Sequence, residues 1–259
     1  MIDKGSIKEE KNMYNIGFTT VTFRKKSVEE IIDIAKKAAI NCIEWGGDVH
    51  VPPDNEENAK RVRALCDAAG IKSVSYGSYY RVGFNDMAAF ERVCKTADIL
   101  GARIVRVWLG LKASAETSEE EFLALCDEVS RMADIAQKYS VTIGFEFHHV
   151  TFNDCGENTV RLINKVNKPN VRTYWQPFSD GTDDKNLSKV LDYIVTVHVF
   201  NWDDRGQRFL MSEGTEKWQK FISRVKAAHD ECNFILEFVK DDEDDNFIKD
   251  IDCIKQLVE

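Results

Sequence analysis

The sequence predicts an α/β protein that folds as a single (β/α)8 TIM barrel. Apolar, β-branched segments of strand type alternate with amphipathic helical patterns along the whole chain, and there are eight such segments. Each strand–helix unit spans roughly 30 residues, the length of a unit that joins two parallel strands through a helix. The chain has 259 residues, which matches the roughly 250 residues typical of a closed eight-stranded barrel.

The strand segments are short apolar runs bounded by polar or glycine-containing stretches. In chain order they are 14–20, 41–47, 71–77, 102–110, 141–147, 171–177, 194–202 and 234–240. An open, doubly wound sheet is the alternative. However, the first strand lacks the G-x-G-x-x-G turn of a dinucleotide fold, and no G-x-x-x-x-G-K-[ST] loop occurs in the sequence. The closed barrel is therefore the preferred arrangement.

The helices between the strands carry explicit start and stop signals. Ser27 with Glu30, and Ser118 with Glu121, have the spacing of capping boxes, in which side chains satisfy free N–H groups of the first turn. Gly70 is placed to end the second helix in the left-handed conformation. Apolar stripes at helical spacing predict the core-facing side chains. These are Ile31, Ile34, Ala35 and Ala38; Phe122, Leu125, Val129, Met132 and Ala136; and Phe247, Ile251, Ile254 and Leu257.

Composition and charge narrow the class of protein. The net charge of −9 argues against a nucleic-acid partner, and no apolar run approaches the roughly 20 residues of a membrane span. The charged start of the chain lacks the apolar stretch of a signal peptide, so residues 1–13 are predicted as a flexible tail and residues 14–259 as the barrel domain. Seven scattered cysteines without a C-x-x-C pair indicate a reducing compartment. We therefore expect a cytoplasmic protein with no membrane partner.

The stretch "VTIGFEFHHV" (141–150) places Glu146 inside an otherwise apolar strand. A buried carboxylate costs several kcal/mol unless it is paired, protonated or bound to a metal. Strand alternation points apolar residues such as Val105, Val107, Phe234, Leu236 and Phe238 toward the helices, and their neighbours into the barrel. The inward polar residues predicted in this way are Glu44, Arg106, Glu146, Gln176, His198 and Glu237.

Four of these inward residues come from the last four strands, near their C-terminal ends, where barrel active sites are built. Two carboxylates, an imidazole and a carboxamide make a plausible ligand set for a divalent metal. The alternative interpretation is structural: Arg106 would form an ion pair with Glu146, and His198 would be a hydrogen-bonded core histidine. Strand alternation alone leaves both interpretations open.

At these strands the sequence resembles the xylose isomerase-like TIM barrels, the sugar phosphate isomerase/epimerase superfamily that also includes endonuclease IV. The resemblance covers about residues 14–258 and rests on "CIEWGGDVHVP", "FEFH", "VHVFNW" and "ILEF" in this order and spacing. It implies a site for Mn, Mg, Co or Zn held by Glu146, Gln176, His198 and Glu237. The family has an aspartate at the position of Gln176. A carboxamide oxygen can still bind a hard cation, but without a negative charge.

The resemblance implies a metal-dependent isomerase or epimerase of carbohydrate metabolism that acts on a sugar, a polyol or a keto acid. Glu146 and Glu237 would act as base and acid on the carbon beside a carbonyl, through an enediolate that the metal stabilises. Side chains around this site are candidates for substrate contacts, although packing or hydrogen-bonding roles compete for several of them. The candidates are Glu44, His50, Arg106, Trp108, His148, Trp202 and Arg205.

Three alternatives remain at this stage, and a homo-oligomer is compatible with all of them. A dehydratase-type lyase would use the same constellation. A non-catalytic metabolite-binding barrel would retain the pocket and lose the metal, and Gln176 favours this possibility. An endonuclease IV-like nuclease would need a cluster of histidines and acids around three zinc ions. The five histidines of this chain and its acidic balance argue against that activity.

Overall fold

The computed structural model describes residues 13–259, in which eight parallel strands close into a barrel in chain order. The strands are β1 (Met13–Thr19), β2 (Cys42–Gly46), β3 (Lys72–Arg81), β4 (Ile104–Trp108), β5 (Thr142–Phe145), β6 (Val171–Trp175), β7 (Ile194–Val199) and β8 (Glu231–Leu236). Parallel pairing of β1 with β8 closes the sheet, so it has no free edge. The predicted (β/α)8 barrel is confirmed. The prediction of a flexible tail concerns residues 1–12, which lie outside the described part, and Met13, which begins β1.

A helix follows each strand. The helices are α1 (Val28–Lys37), α2 (Glu56–Ala69), α3 (Met87–Leu100), α4 (Glu119–Lys138), α5 (Gly156–Val166), α6 (Asp183–Val190), α7 (Thr215–Ala228) and α8 (Asp244–Val258). Both predicted capping boxes are present, at the starts of α1 and α4. Gly70 ends α2 with a φ of 67°, as its position in the sequence predicts. No helix among residues 13–259 is both long and apolar enough to cross a membrane.

The core lies between the outer face of the barrel and the inner faces of the helices. All three predicted helical stripes are buried there. Every second residue of the strands is apolar and packs in this core, for example Val105, Val107 and Ile143, each of which is 0% exposed. The other half points into the barrel, so the polar residues of the strands meet one another in its interior.

Strand β8 departs from the predicted alternation. It ends at Leu236, four residues earlier than predicted, and Phe238 has a φ of 56°. This left-handed conformation, which is rare for a bulky residue, breaks the period of two. The prediction that Phe238 packs toward the helices is therefore wrong. Its ring is half-buried at the C-terminal rim of the barrel, where it contacts the ring of Trp202 and the guanidinium of Arg208.

Candidate active site

Three predicted metal ligands meet at the C-terminal end of the barrel. A carboxylate oxygen of Glu146, a ring nitrogen of His198 and a carboxylate oxygen of Glu237 lie within 4.8 Å of one another. All three residues are buried. Gln176 joins them, because its Oε1 lies 3.0 Å from Nδ1 of His198. Glu146, Gln176 and Glu237 directly follow β5, β6 and β8, whereas His198 lies within β7. We call these four residues the ligand cluster.

Arg106, from β4, inserts its guanidinium beside the cluster. Its Nη1 lies 3.4 Å from an oxygen of Glu146 and 3.7 Å from an oxygen of both Glu237 and Glu44. Burial alone would lower the pKa of Arg106, but the three carboxylates raise it above its ordinary value. The guanidinium therefore stays charged, although its residue is only 2% exposed. The ion pair between Arg106 and Glu146 that the structural interpretation predicts is thus present, and it lies beside the ligand cluster.

Glu44 lies below the cluster and is 0% exposed. Its Oε2 accepts hydrogen bonds of 2.8 Å from the hydroxyl of Ser75 and from the hydroxyl of Tyr174. Tyr174 reaches Glu44 by crossing over Gly144, where a Cβ would lie only 2.5 Å from a ring carbon of the tyrosine. A glycine at position 144 is therefore what allows this contact across the barrel.

Positively charged neighbours keep the carboxyl groups of Glu44 and Glu237 ionised. Burial by itself raises the pKa of Glu44, but Arg106 and His198 bring it well below its usual range. Burial lowers the pKa of His198, whereas the carboxylates of Glu237 and Glu44 raise it, to about 10. The pKa of Glu237 is lowered by His198 and Arg106 against the effect of burial. Without a metal ion, the positive charges of Arg106 and of the His198 imidazolium thus offset the negative charges of Glu44 and Glu237.

Aromatic side chains form one wall of the site. The indole N–H of Trp108 donates a hydrogen bond to Oε2 of Glu146. The indole ring packs against the imidazole of His148 at 5.2 Å, and the guanidinium of Arg81 lies 4.3 Å from its centroid. As a result, Glu146 is held from two directions, by Trp108 at one oxygen and by Arg106 at the other.

Comparison with known proteins identifies the family of this fold. A family model described as "Xylose isomerase-like TIM barrel" matches residues 32–257. The chain belongs to this family. No curated protein sequence matches it significantly.

Solved structures of xylose isomerase-like fold superimpose over nearly the whole chain. The probable 3-DHS dehydratase AsbF from Bacillus anthracis matches with a TM-score of 0.79 and 16% identity, covering 93% of this chain and 98% of its own. D-Psicose 3-epimerase from Clostridium cellulolyticum H10 matches with a TM-score of 0.77 and 12% identity, covering 95% and 99%. An L-ribulose 3-epimerase matches with a TM-score of 0.73 and 13% identity, covering 95% of each chain. At these identities the likeness establishes the fold.

The donor set of this xylose isomerase-like barrel fits a divalent cation. Carboxylate oxygens and an imidazole nitrogen suit Mg, Mn, Co or Zn, and the carboxamide oxygen of Gln176 adds a neutral ligand. His198 directs Nδ1 toward the other members of the cluster, at 3.4 Å from Glu237 and 3.8 Å from Glu146. Its Nε2 faces the buried carboxylate of Glu44, at 3.3 Å. Metal-binding histidines commonly have such a carboxylate behind them.

The remaining predicted site residues lie at different depths. Arg106 and Trp108 contact Glu146, and Glu44 faces His198. His148 packs against the outer side of the Trp108 ring. His50 is 4% exposed, and its contacts are with the Lys26 carbonyl and the ring of Trp45. Trp202 packs on Phe200 and Phe238 at the rim. Arg205 is exposed at the tip of the turn after β7.

Two cavities open at opposite ends of the barrel. One of about 370 Å³ lies at the C-terminal rim and is lined by residues that include Arg24, Arg208 and Phe238, the last of which directly follows Glu237. A larger one, of about 700 Å³, lies at the N-terminal end beside Asn15, Arg172 and Asn233. The ligand cluster lies at the C-terminal end, where barrel enzymes carry out their chemistry. The larger cavity is therefore not the candidate active site.

Two residues of the site were missed by the sequence analysis. Ser75 anchors Glu44, and Arg81 covers Trp108. Strand β3 continues to Arg81, four residues beyond its predicted end, with a shift in its register against β4 between Gly77 and Arg81. The run "SVSYGSYYR" contains the signal for this longer strand, because small and aromatic residues keep a strand pattern up to the arginine.

Proposed function

We propose that this chain is a divalent-metal-dependent epimerase or isomerase that moves a proton at the carbon beside the carbonyl of a sugar-like substrate. The observation that carries the proposal is the convergence of two carboxylates and one imidazole nitrogen within 4.8 Å at the C-terminal end of the barrel. Moving a proton from one face of a carbon to the other needs a base on one side and an acid on the opposite side. Glu146 follows β5 and Glu237 follows β8, so the two carboxyl groups enter the cluster from different strands.

In this proposal each side chain has a role that follows from its contacts. Glu146, Gln176, His198 and Glu237 would hold the cation, which would stabilise the negative charge that develops on the substrate oxygens. Glu146 removes or returns the proton, and its hydrogen bonds from Trp108 and Arg106 fix its direction. Glu237 serves the opposite face. Trp108, His148 and Trp202 offer flat surfaces that can pack against a sugar.

The reaction can be tested by solvent exchange. The protein with Mn²⁺ would be incubated in D₂O with D-psicose, D-fructose, D-tagatose and L-ribulose, and the loss of the proton signal beside the carbonyl followed by NMR. We expect exchange by the wild type and a loss of about 10²-fold or more in Glu146→Gln and Glu237→Gln. Glu116→Gln is the matched control and should exchange normally, because Glu116 is exposed and lies in a short 3-10 helix between β4 and α4, at the same end of the barrel. Exchange that persists in both cluster variants would refute these roles.

A dehydratase-type lyase is the second candidate, favoured by the structural match to a probable 3-DHS dehydratase. Elimination of water also begins with proton removal, so the same cluster would serve. The two reactions differ in product. An unsaturated carbonyl compound, detected by its ultraviolet absorbance, indicates elimination, whereas a deuterated sugar of unchanged mass apart from the label indicates epimerisation or isomerisation.

A further inference from the structure

Two buried polar atoms beneath the ligand cluster face each other. Oε1 of Glu44 and Nε2 of His198 make no well-directed hydrogen bond within residues 13–259, and they lie 3.3 Å apart. Both residues are 0% exposed. A buried polar atom without a partner is costly, so a small rotation that pairs these two atoms is favourable. Since Glu44 is fully covered by protein, it acts on the cluster through the charged groups that its Oε1 faces, His198 at 3.3 Å and Arg106 at 3.7 Å.

The carboxylate of Glu44 is held in one orientation. Its other oxygen, Oε2, accepts hydrogen bonds from the hydroxyls of Ser75 and Tyr174, which leaves Oε1 directed at His198, with the guanidinium of Arg106 farther away, at 3.7 Å. The ring of Tyr174 also packs edge-on against the imidazole, with a centroid distance of 5.1 Å and an interplanar angle of 78°. The same tyrosine therefore fixes both partners of the contact.

An ionised carboxylate can only accept hydrogen bonds, so beside Glu44 a proton belongs on Nε2. Nδ1 also faces acceptor oxygens, at 3.0 Å from Gln176, 3.4 Å from Glu237 and 3.8 Å from Glu146, so without a cation this nitrogen is protonated too. A cation at the cluster displaces the proton on Nδ1, and the proton that remains is the one on Nε2. The opposite tautomer would place a hydrogen where a cation has to bind.

We propose that Glu44 is a positioning residue that holds the proton of His198 on Nε2, so that Nδ1 is available to a divalent cation. The proposal rests on the cation site of the proposed function and assigns to Glu44 a role other than substrate contact. Removing the carboxylate behind a metal-binding histidine typically weakens metal binding 10- to 100-fold. We expect a loss in that range.

The test variant is Glu44→Gln, which keeps the shape of the side chain. Because Ser75 and Tyr174 donate to one side of residue 44, the amide oxygen is favoured there, and the amide N–H groups then point at Nε2. This arrangement favours a proton on Nδ1. Asp250→Asn is the matched control, since Asp250 is also a buried acid (2% exposed) and lies in α8, where it accepts a hydrogen bond from the backbone of Met211.

Two measurements decide the proposal. Zn²⁺ affinity by calorimetry should fall 10- to 100-fold in Glu44→Gln and stay within about twofold in Asp250→Asn. Ring NMR of the Zn²⁺-loaded protein, with the His198 signals assigned from His198→Gln, should show the Nε2–H proton shifted strongly downfield in the wild type by its hydrogen bond to the Glu44 carboxylate, and that downfield shift should be lost in Glu44→Gln. A weaker affinity with an unchanged Nε2–H shift would mean that only the charge of Glu44 matters, and would overturn the proposal.

Milder variants keep the test informative if Glu44→Gln does not fold. Tyr174→Phe and Ser75→Ala each remove one hydrogen bond to Oε2, and each should weaken Zn²⁺ binding several-fold while leaving the carboxylate in place. Unchanged affinity in both would contradict the proposal. A wild type that binds Zn²⁺, together with a Glu44→Gln variant that binds it equally well, refutes this inference alone. A wild type that binds no cation refutes the proposed function as well.

Discussion

Replacing Arg106 with glutamine should destabilise the metal-free protein by about 3–5 kcal/mol, the usual cost of removing one partner from a buried ion pair. Nη1 of Arg106 lies 3.4–3.7 Å from three carboxylates. At an effective dielectric constant of about 20, each such pair contributes about 4–5 kcal/mol of attraction before the cost of burying the guanidinium is subtracted. The net value is smaller than the sum because that desolvation cost is large for a residue only 2% exposed.

Urea unfolding at neutral pH with EDTA measures this loss. Arg92→Gln is the control, because Arg92 pairs with Asp54 at 2.8 Å on the surface, where both side chains are half-exposed or more. The control should lose less than about 1 kcal/mol. Arg106→Lys preserves the charge and provides a second variant if the glutamine form does not fold. A loss in Arg106→Gln no larger than that of the control would refute the view that Arg106 holds the three carboxylates together.

The same variant should respond more strongly to a divalent cation. Without the guanidinium, the three carboxylates lack their fixed positive neighbour, so the site attracts Mn²⁺ more strongly. At a Mn²⁺ concentration 100 times the dissociation constant, binding stabilises a folded protein by about 2.7 kcal/mol. We expect Mn²⁺ to increase the free energy of unfolding of Arg106→Gln by more than it increases that of the wild type. Equal or smaller stabilisation of the variant would contradict this balance of charges.

Three further predictions concern Gln176, Asp250 and Gly144. Gln176→Asp adds a negative ligand beside Nδ1 of His198, so it should tighten Mn²⁺ binding by about tenfold or more in calorimetry, and unchanged affinity would argue against position 176 as a ligand. Burial raises the pKa of Asp250 from 3.8 to about 6, so the folded protein binds the extra proton between these values and stability falls as pH rises through them, by up to roughly 3 kcal/mol. Asp250→Asn should remove most of that fall in urea unfolding at pH 4.5 and 7.5, and a fall of equal size in the variant would contradict it. Gly144→Ala places a Cβ 2.5 Å from a ring carbon of Tyr174 and should cost about 1–3 kcal/mol, whereas a neutral effect would show that the ring is free to move.

The sequence was sufficient to predict the barrel and the centre of the site, because both depend on regular periods. Helical stripes and capping boxes marked the helices, and the period of two in the strands separated Glu146, His198 and Glu237 from their apolar neighbours. The family match over residues 32–257 agrees with the motifs on these strands. Local pattern therefore decides which side chains point into the barrel.

What the sequence could not predict depends on contacts between distant strands and on local breaks in the pattern. The link between Glu44 and His198 joins β2 to β7 across the closed barrel, and no spacing along the chain encodes that distance. The period of two assigns Phe238 to the wrong face because its positive φ ends the alternation one residue after Glu237. In these two cases tertiary geometry, rather than propensity, positions the side chain. Arg81 differs, because the strand pattern continues to it and the predicted strand ends too early.

The most direct test of the central claim is the metal content of the protein by elemental mass spectrometry. Wild type, Glu237→Gln and the exposed control Glu116→Gln would be incubated with Mn²⁺ and separated from free ions by gel filtration. A ligand cluster of Glu146, Gln176, His198 and Glu237 predicts about one Mn²⁺ per chain in the wild type and the control, and a clear loss in Glu237→Gln. No Mn²⁺ in the wild type, or equal retention in all three proteins, would contradict it.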